Sequence, residues 1–309
     1  MLRYAVKRIV LAIPVFIGVV LLTFLMLHFV PGDPVKAMFI QNGGATQSEI
    51  DQVRHQLGLD QPLPVQFWHY LVAVLHGNLG TSIRTNEGVG SMLIHNFPPT
   101  IELTLAGMGL AVVIGFAFGM IGAVKRGSWI DSALLIFSLS GVSVPSFWLG
   151  LLLIYAFSVH FHWIPIVGGP AWKELILPAI ALGLQSSAII ARLVRSSLLE
   201  VLQEQYVVTA RAKGVKGRQV LLVHALRNAL LPVVTIVGLQ FGGLLSGTVI
   251  IETVFARQGI GRILVNALQQ RDFPVAQGSV LFIAVIYVIV NLAVDILYGV
   301  IDPRISATS

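Results

Sequence analysis

Cysteine does not occur in the 309 residues, which excludes disulfides, thiolate nucleophiles and cysteine metal sites. Charge is nearly as scarce. Only 11% of the residues are Asp, Glu, Lys or Arg, against about 25% in ordinary soluble domains. Hydrophobic residues make up 56%, and the mean hydropathy is +0.85. A large soluble core does not account for such a deficit; the composition is that of a membrane protein. No G-x-x-x-x-G-K-[ST] loop occurs, so the chain has no phosphate cradle of that kind, and no H-E-x-x-H zinc helix occurs. "RQGIGRIL" has a G-x-G but no third glycine and no preceding soluble strand, which excludes a dinucleotide site. "HFHW" holds His160 and His162; two histidines alone do not complete a metal set, and they read as an interfacial pair.

What is present is a series of long apolar runs. A spanning helix needs about 20 mainly apolar residues. Six stretches qualify: Ile9–Val30, Leu103–Val124, Ala133–Phe161, Ile176–Leu198, Ala229–Ile251 and Gly278–Ile301. The third is long and contains Pro145; it is expected to be one kinked, tilted helix rather than two segments. The first has a basic start, but it is too long for a signal peptide and lacks a small-residue exit, so it counts as a span.

With six spans and the N-terminus inside, seven of the 20 Lys and Arg fall outside: Lys36, Arg54, Arg84, Lys173, Arg257, Arg262 and Arg271. The other 13 fall inside, on shorter loops. This asymmetry places both termini in the cytoplasm. The pI near 9.8 therefore reflects topology and contact with membrane lipid, not nucleic acid.

The expected organisation has three parts. Residues 1–99 form the first span plus a long extracytoplasmic loop, 100–302 a five-span core with a cytoplasmic loop at 199–228, and 303–309 a cytoplasmic tail. In the outer loop, "ATQSEIDQVRHQLGL" predicts a helix with Thr46 as N-cap, Glu49 completing a capping box and Gly58 as its stop. "VQFWHYLVAVLHG" predicts a second, with Phe67, Trp68 and Tyr70 suited to the interface. There is no internal repeat and no low-complexity segment.

The cytoplasmic loop "EQYVVTARAKGVKGRQVLLVHALRNALLP" has Arg211, Lys213, Lys216, Arg218 and Arg227 against one acid, Glu204. A basic inner loop often serves topology alone. Here, however, apolar residues recur at helical spacing, Gly214 supplies a stop, and "RQVLLVHALRNALL" restarts a helix. A helix–turn–helix with a mixed apolar and basic face is a docking surface for a soluble partner.

"TARAKG" followed by "HALRNALLPVVT" resembles the cytoplasmic loop of binding-protein-dependent ABC importer permeases, and more narrowly of the oligopeptide/dipeptide/nickel family. "PGDP", "LGLDQPLPVQFWHYL", "GNLGTS", "ARLVRSSLLEVL", "GLQFGGLLSG", "ETVFARQGIGR" and "VDILYGVIDPRI" agree in order and position. The resemblance covers essentially the whole chain. At the parent pattern E-A-A-x-x-x-G the chain reads Val208-Thr209-Ala210 and keeps Gly214. Where I-x-L-P is expected it reads His224-Ala225-Leu226-Arg227, with Leu231-Pro232 arriving five residues late, a departure that fits the peptide branch and leaves the docking register open.

The resemblance implies an all-α ABC type I importer permease that catalyses no bond chemistry and binds no cofactor. It implies a second related permease, two ABC ATPases carrying ATP and magnesium, and an extracytoplasmic substrate-binding protein. It assigns ATPase coupling to Thr209, Ala210, Arg211, Ala212, Lys213 and Gly214. The implied cargo is di- or oligopeptides; nickel complexes, glutathione-like peptides and opine-type compounds use similar permeases.

Polar residues inside spans mark pathways. Ser143, Gln185, Gln240, Asn291 and Asp295 are the translocation candidates. The serines before Pro145 could equally bond the backbone, and Asp295 could pair with an arginine. Glu252, Arg257, Gly259 and Gly261 lie where a binding protein would dock, or else where a re-entrant loop packs. Gly115, Gly119 and Gly122, and Gly238, Gly242, Gly243 and Gly247, allow close helix approach, with the fifth span expected at the seam with the partner permease. A self-sufficient secondary transporter or channel would show inverted repeats or broken-helix pairs. A membrane enzyme would show convergent catalytic groups. Neither pattern is evident.

Overall fold

The computed structural model describes residues 2–29, 46–56 and 60–301. Within them, only the backbone is described for several residues, including Glu49, Leu231 and Asp295. Regular structure there is helical. The elements are α1 (Leu2–Phe29), α2 (Gln47–Gln56), α3 (Leu63–Leu75), α4 (Val89–Val124), α5 (Trp129–Ser143), α6 (Ser146–Leu153), α7 (Ala171–Val201), α8 (Gln205–Ala212), α9 (Gly217–Gln219), α10 (Leu226–Val254), α11 (Ile260–Gln270) and α12 (Phe273–Ile301). Two π-helical segments, Ile154–His160 and Val220–Ala225, continue α6 and lead into α10.

Helices α1, α4, α7, α10 and α12 are long and apolar enough to cross a membrane, and α5 with α6 makes a sixth candidate. Helix α4 begins at Val89, well before the expected Leu103, so it continues as 36 helical residues.

The third stretch departs from the expected kinked helix. It breaks into α5 and α6, which diverge by 105°. Pro145 has no N–H to donate, and its ring drives the preceding residue out of helical geometry. Val144 sits at φ −86°, ψ 121° and Pro145 at φ −61°, ψ 137°. Two successive extended residues turn the chain, and α6 restarts at Ser146. Pro178 and Pro232, by contrast, sit inside α7 and α10 without ending them.

The chain forms two compact units. One is built on Pro99–Arg257 with residues 2–8 and 289–301. Its core has one cluster around Leu103, Leu177, Leu182, Leu244 and Ile251, and another around Ile190, Val194, Leu198, Ala225 and Ala229. Helices α4 and α7 approach through glycines. A Cβ on Gly183 would lie 2.3 Å from the Gly107 carbonyl oxygen. One on Gly115 would lie 2.8 Å from Ile190 Cβ, and one on Gly119 2.6 Å from both Ala191 O and Val194 Cβ. The expected close approach at the second span is thus an intrachain seam. On α10, Gly238 meets Val294 and Gly247 meets Leu182, whereas Gly243 faces open space.

The other unit is built on Ile9–Pro98 and Gln258–Val288. Its core gathers Val89, Leu93, Ile260, Ala267, Val275 and Ala276. Helix α3 lies against α1 through Phe24, which meets Phe67 and Tyr70 rings at 5.5 and 5.9 Å. Burial pushes the Tyr70 phenol up. A tight hairpin, bridged at Thr81 and Gly88, is held by Asp272: Ser82 Oγ donates to its Oδ2 at 2.5 Å and the Ile83 N–H to its Oδ1 at 3.3 Å. Helix α2 follows Thr46, whose carbonyl accepts from the Ile50 N–H at 3.2 Å. Its expected stop, Gly58, lies outside the described residues. Near the end of α2, His55 Nδ1 lies 2.7 Å from Asp60 Oδ2 and holds that carboxyl below its usual range.

Candidate functional site

Helix α7 ends at Val201, and after a short turn α8 runs from Gln205 to Ala212. The C-terminus of α8 closes as a Schellman motif. The Val215 N–H donates to the Ala210 carbonyl at 3.2 Å and the Gly214 N–H to the Arg211 carbonyl at 2.9 Å. This pairing requires a left-handed residue at Gly214, which sits at φ +79°. The chain then reverses through α9 and the π-helical segment into α10. Val207, Val220 and Ala225 are fully buried and anchor the hairpin's inner side. Asn228 Nδ2 donates to Tyr206 Oη at 2.7 Å and joins its two arms.

The anchoring leaves the opposite face open. Thr209, Arg211, Ala212, Lys213 and Gly214 are exposed and Ala210 is half-buried. Thr209 Oγ1 donates to the Gln205 carbonyl at 2.9 Å. Val208 and Val223 are 56% and 58% exposed, so apolar and basic groups share one surface. All six expected coupling residues therefore fall on one short helix and its turn.

Two of the five pathway candidates, Gln185 and Ser143, bond backbone carbonyls beside the break between α5 and α6. Gln185 Nε2 donates to the Val142 carbonyl at 3.3 Å, a group that the break deprives of its i+4 helical donor. Ser143 Oγ donates to the Leu139 carbonyl at 3.0 Å, which is the backbone role weighed as its alternative. Gln240 Nε2 on α10 donates to Ser186 Oγ on α7 at 3.2 Å. Asn291 is half-buried on α12, and the Asp295 side chain lies outside the described ones.

The residues expected to face a docking protein divide. Glu252, Gly259 and Gly261 are buried, so they offer no surface of their own. Glu252 is fully buried and accepts from Thr100 Oγ1 at 2.6 Å. Arg257 pairs with Glu102, whose side chain is half exposed. A carboxylate inside a span needs such partners. The His160 ring meets the Phe161 ring edge-on, with centroids 4.8 Å apart.

One charged pair lies outside the candidates that the sequence offers. Arg195 donates from Nε to Asp131 Oδ1 at 2.6 Å and from Nη2 to Oδ2 at 2.8 Å. In the sequence Arg195 bears only on topology. A local signal existed: Ser128 and Asp131 have capping-box spacing, and Ser128 does cap α5.

Residues 115–307 match the family described as "Binding-protein-dependent transport system inner membrane component", and residues 1–104 its N-terminal companion. The glutathione transport system permease protein GsiC of Pectobacterium atrosepticum is 46% identical over 305 residues, covering 99% of both chains. GsiC of Escherichia coli K12 is 45% identical with the same coverage. Among solved structures, an inward-facing MetNI methionine ABC transporter chain matches with a TM-score of 0.55 at 21% identity, over 68% of this chain and 96% of that one. At that identity the likeness establishes the fold only. A multi-pass inner-membrane helical bundle with matches along its whole length places the chain plainly: it belongs to the binding-protein-dependent inner-membrane components, the non-catalytic permease subunits of ABC importers.

Proposed function

We propose that this chain admits glutathione-like or other short peptides to the cytoplasm, and that its α8 hairpin is the element on which an ATPase subunit acts. Similarity to GsiC proteins over 99% of the chain carries the cargo reading. The hairpin's anchored inner side and open basic–apolar face support the coupling reading. In this reading both termini are cytoplasmic. Two ATPases bind ATP and magnesium, a second related permease completes the pathway, and a substrate-binding protein delivers cargo outside. Thr209 to Gly214 meet the ATPase, with the Schellman turn setting their orientation. Gln185, Gln240 and Asn291 are proposed to line the route, and Arg257 with Glu102 to lie beneath the docking face. Closure of the ATPases displaces the hairpins, and the spans pass between inward- and outward-facing states.

The test compares the wild-type complex with Gly214→Pro, following co-purifying ATPase and uptake of labelled glutathione and a dipeptide into vesicles. Proline cannot adopt positive φ, so the turn is lost while every span is untouched. Retention of ATPase by the wild type and its loss from the inserted variant is expected. An unaltered variant would sink the coupling reading. Dipeptide uptake without glutathione uptake would move the cargo assignment.

A further inference from the structure

We propose that the Asp131–Arg195 pair is a positioning latch for transport: it ties the end of α7 that enters the α8 hairpin to the start of α5. The inference rests on the coupling reading above.

The geometry is directional. Arg195 lies less than two turns before α7 ends at Val201. Its guanidinium meets both carboxylate oxygens of Asp131, at 2.6 and 2.8 Å. Such a two-bond fork fixes orientation as well as distance. The Asp131 side chain is only 5% exposed and that of Arg195 23%. Asp131 Oδ2 also accepts from the Gly127 N–H at 3.0 Å, which binds the α4–α5 turn to the same carboxylate. Gly122 on α4 leaves room for the pair: a Cβ there would lie 3.2 Å from Arg195 Cδ and 3.4 Å from Asp131 Oδ1. Three helices meet at one ion pair.

Stability alone is a poor account of it, because an apolar substitute of similar volume often serves a buried pair's site as well. Direction is what the pair adds. The adjoining α4–α7 seam is glycine against apolar side chains and backbone, contacts that carry no directional bond. The fork between α5 and α7 supplies one. A displacement entering α7 from the hairpin is therefore delivered to α5 and, past the break, to α6.

The experiment uses the whole complex reconstituted in vesicles, with the binding protein purified carrying its native cargo. ATP hydrolysis per assembled complex is measured with and without that protein. Wild type is expected to show stimulated hydrolysis. Asp131→Asn keeps an acceptor for Gly127 but loses the charge. It is expected to assemble and hydrolyse ATP while the stimulation falls about fivefold or more, the lower bound of ordinary coupling between sites. Arg195→Lys, with a single point contact in place of the fork, is expected to lie between. Fewer complexes with unchanged stimulation per complex would mean a merely structural pair and overturn the latch. So would failure of both variants to assemble. A wild-type chain that holds no ATPase would instead overturn the coupling reading itself, and the latch with it.

Discussion

At the residue scale the glycines of α4 and α7 divide by what they face. Gly183 abuts the Gly107 backbone, while Gly243 on α10 faces open space. Backbone cannot rotate aside as a side chain can, so Gly183→Ala must separate the two helices. The expected cost is about 1–3 kcal/mol, the range for overpacking, and Gly243→Ala should cost far less in the same thermal unfolding assay of the detergent-purified chain. Equal stability of the two variants would contradict the seam. The sequence showed small residues at helical spacing, Gly115, Gly119 and Gly122, and correctly implied close approach. It could not show against what, because a stripe of glycines has the same spacing whether its partner is α7 or another chain. The pairing of Asp131 with Arg195 was illegible for a related reason: they are 64 residues apart, and only packing brings them together.

Among the elements, the apolar runs were legible because hydropathy over 20 residues leaves few alternatives to a span. The α8 hairpin was legible because Gly214 and the renewed helical periodicity are local signals. The break at Val144-Pro145 was not, since a kinked helix and a broken one share the same composition. The local cause of the break makes it testable. Pro145→Ala restores a donor for the Gly141 carbonyl and frees Val144 to become helical. If proline sets the bend of 105°, the variant should straighten. Spin labels at the exposed Ile136 and Tyr155 would then move apart, toward the roughly 28 Å that a continuous helix spans over that interval. An unchanged distance would assign the bend to packing of α5 and α6 against α7, with Gln185 holding the freed Val142 carbonyl.

For the whole molecule, orientation in the bilayer is the claim on which the roles of all surfaces depend. In the proposed reading the hairpin can meet an ATPase only if it lies in the cytoplasm, and the Arg257–Glu102 pair can lie beneath a binding protein only if it lies outside. Charge supplies the argument: Arg211, Lys213, Lys216, Arg218 and Arg227 crowd one short connection, and transfer of such a segment across the membrane is disfavoured. The absence of cysteine makes the test clean, because each introduced thiol is the only one present. Arg218 and Thr85 are both exposed, so Arg218→Cys and Thr85→Cys should each insert normally. A membrane-impermeant maleimide applied to intact spheroplasts should label the Thr85→Cys variant and spare the Arg218→Cys variant. Disrupted, inside-accessible membranes should expose both. The opposite pattern in intact spheroplasts would invert the chain, leaving the basic hairpin without access to ATP and the coupling reading without a partner. The predicted pattern would leave the Schellman turn at Gly214 and the ion pair behind it on the same side as the nucleotide, where a displacement driven by ATP has to begin.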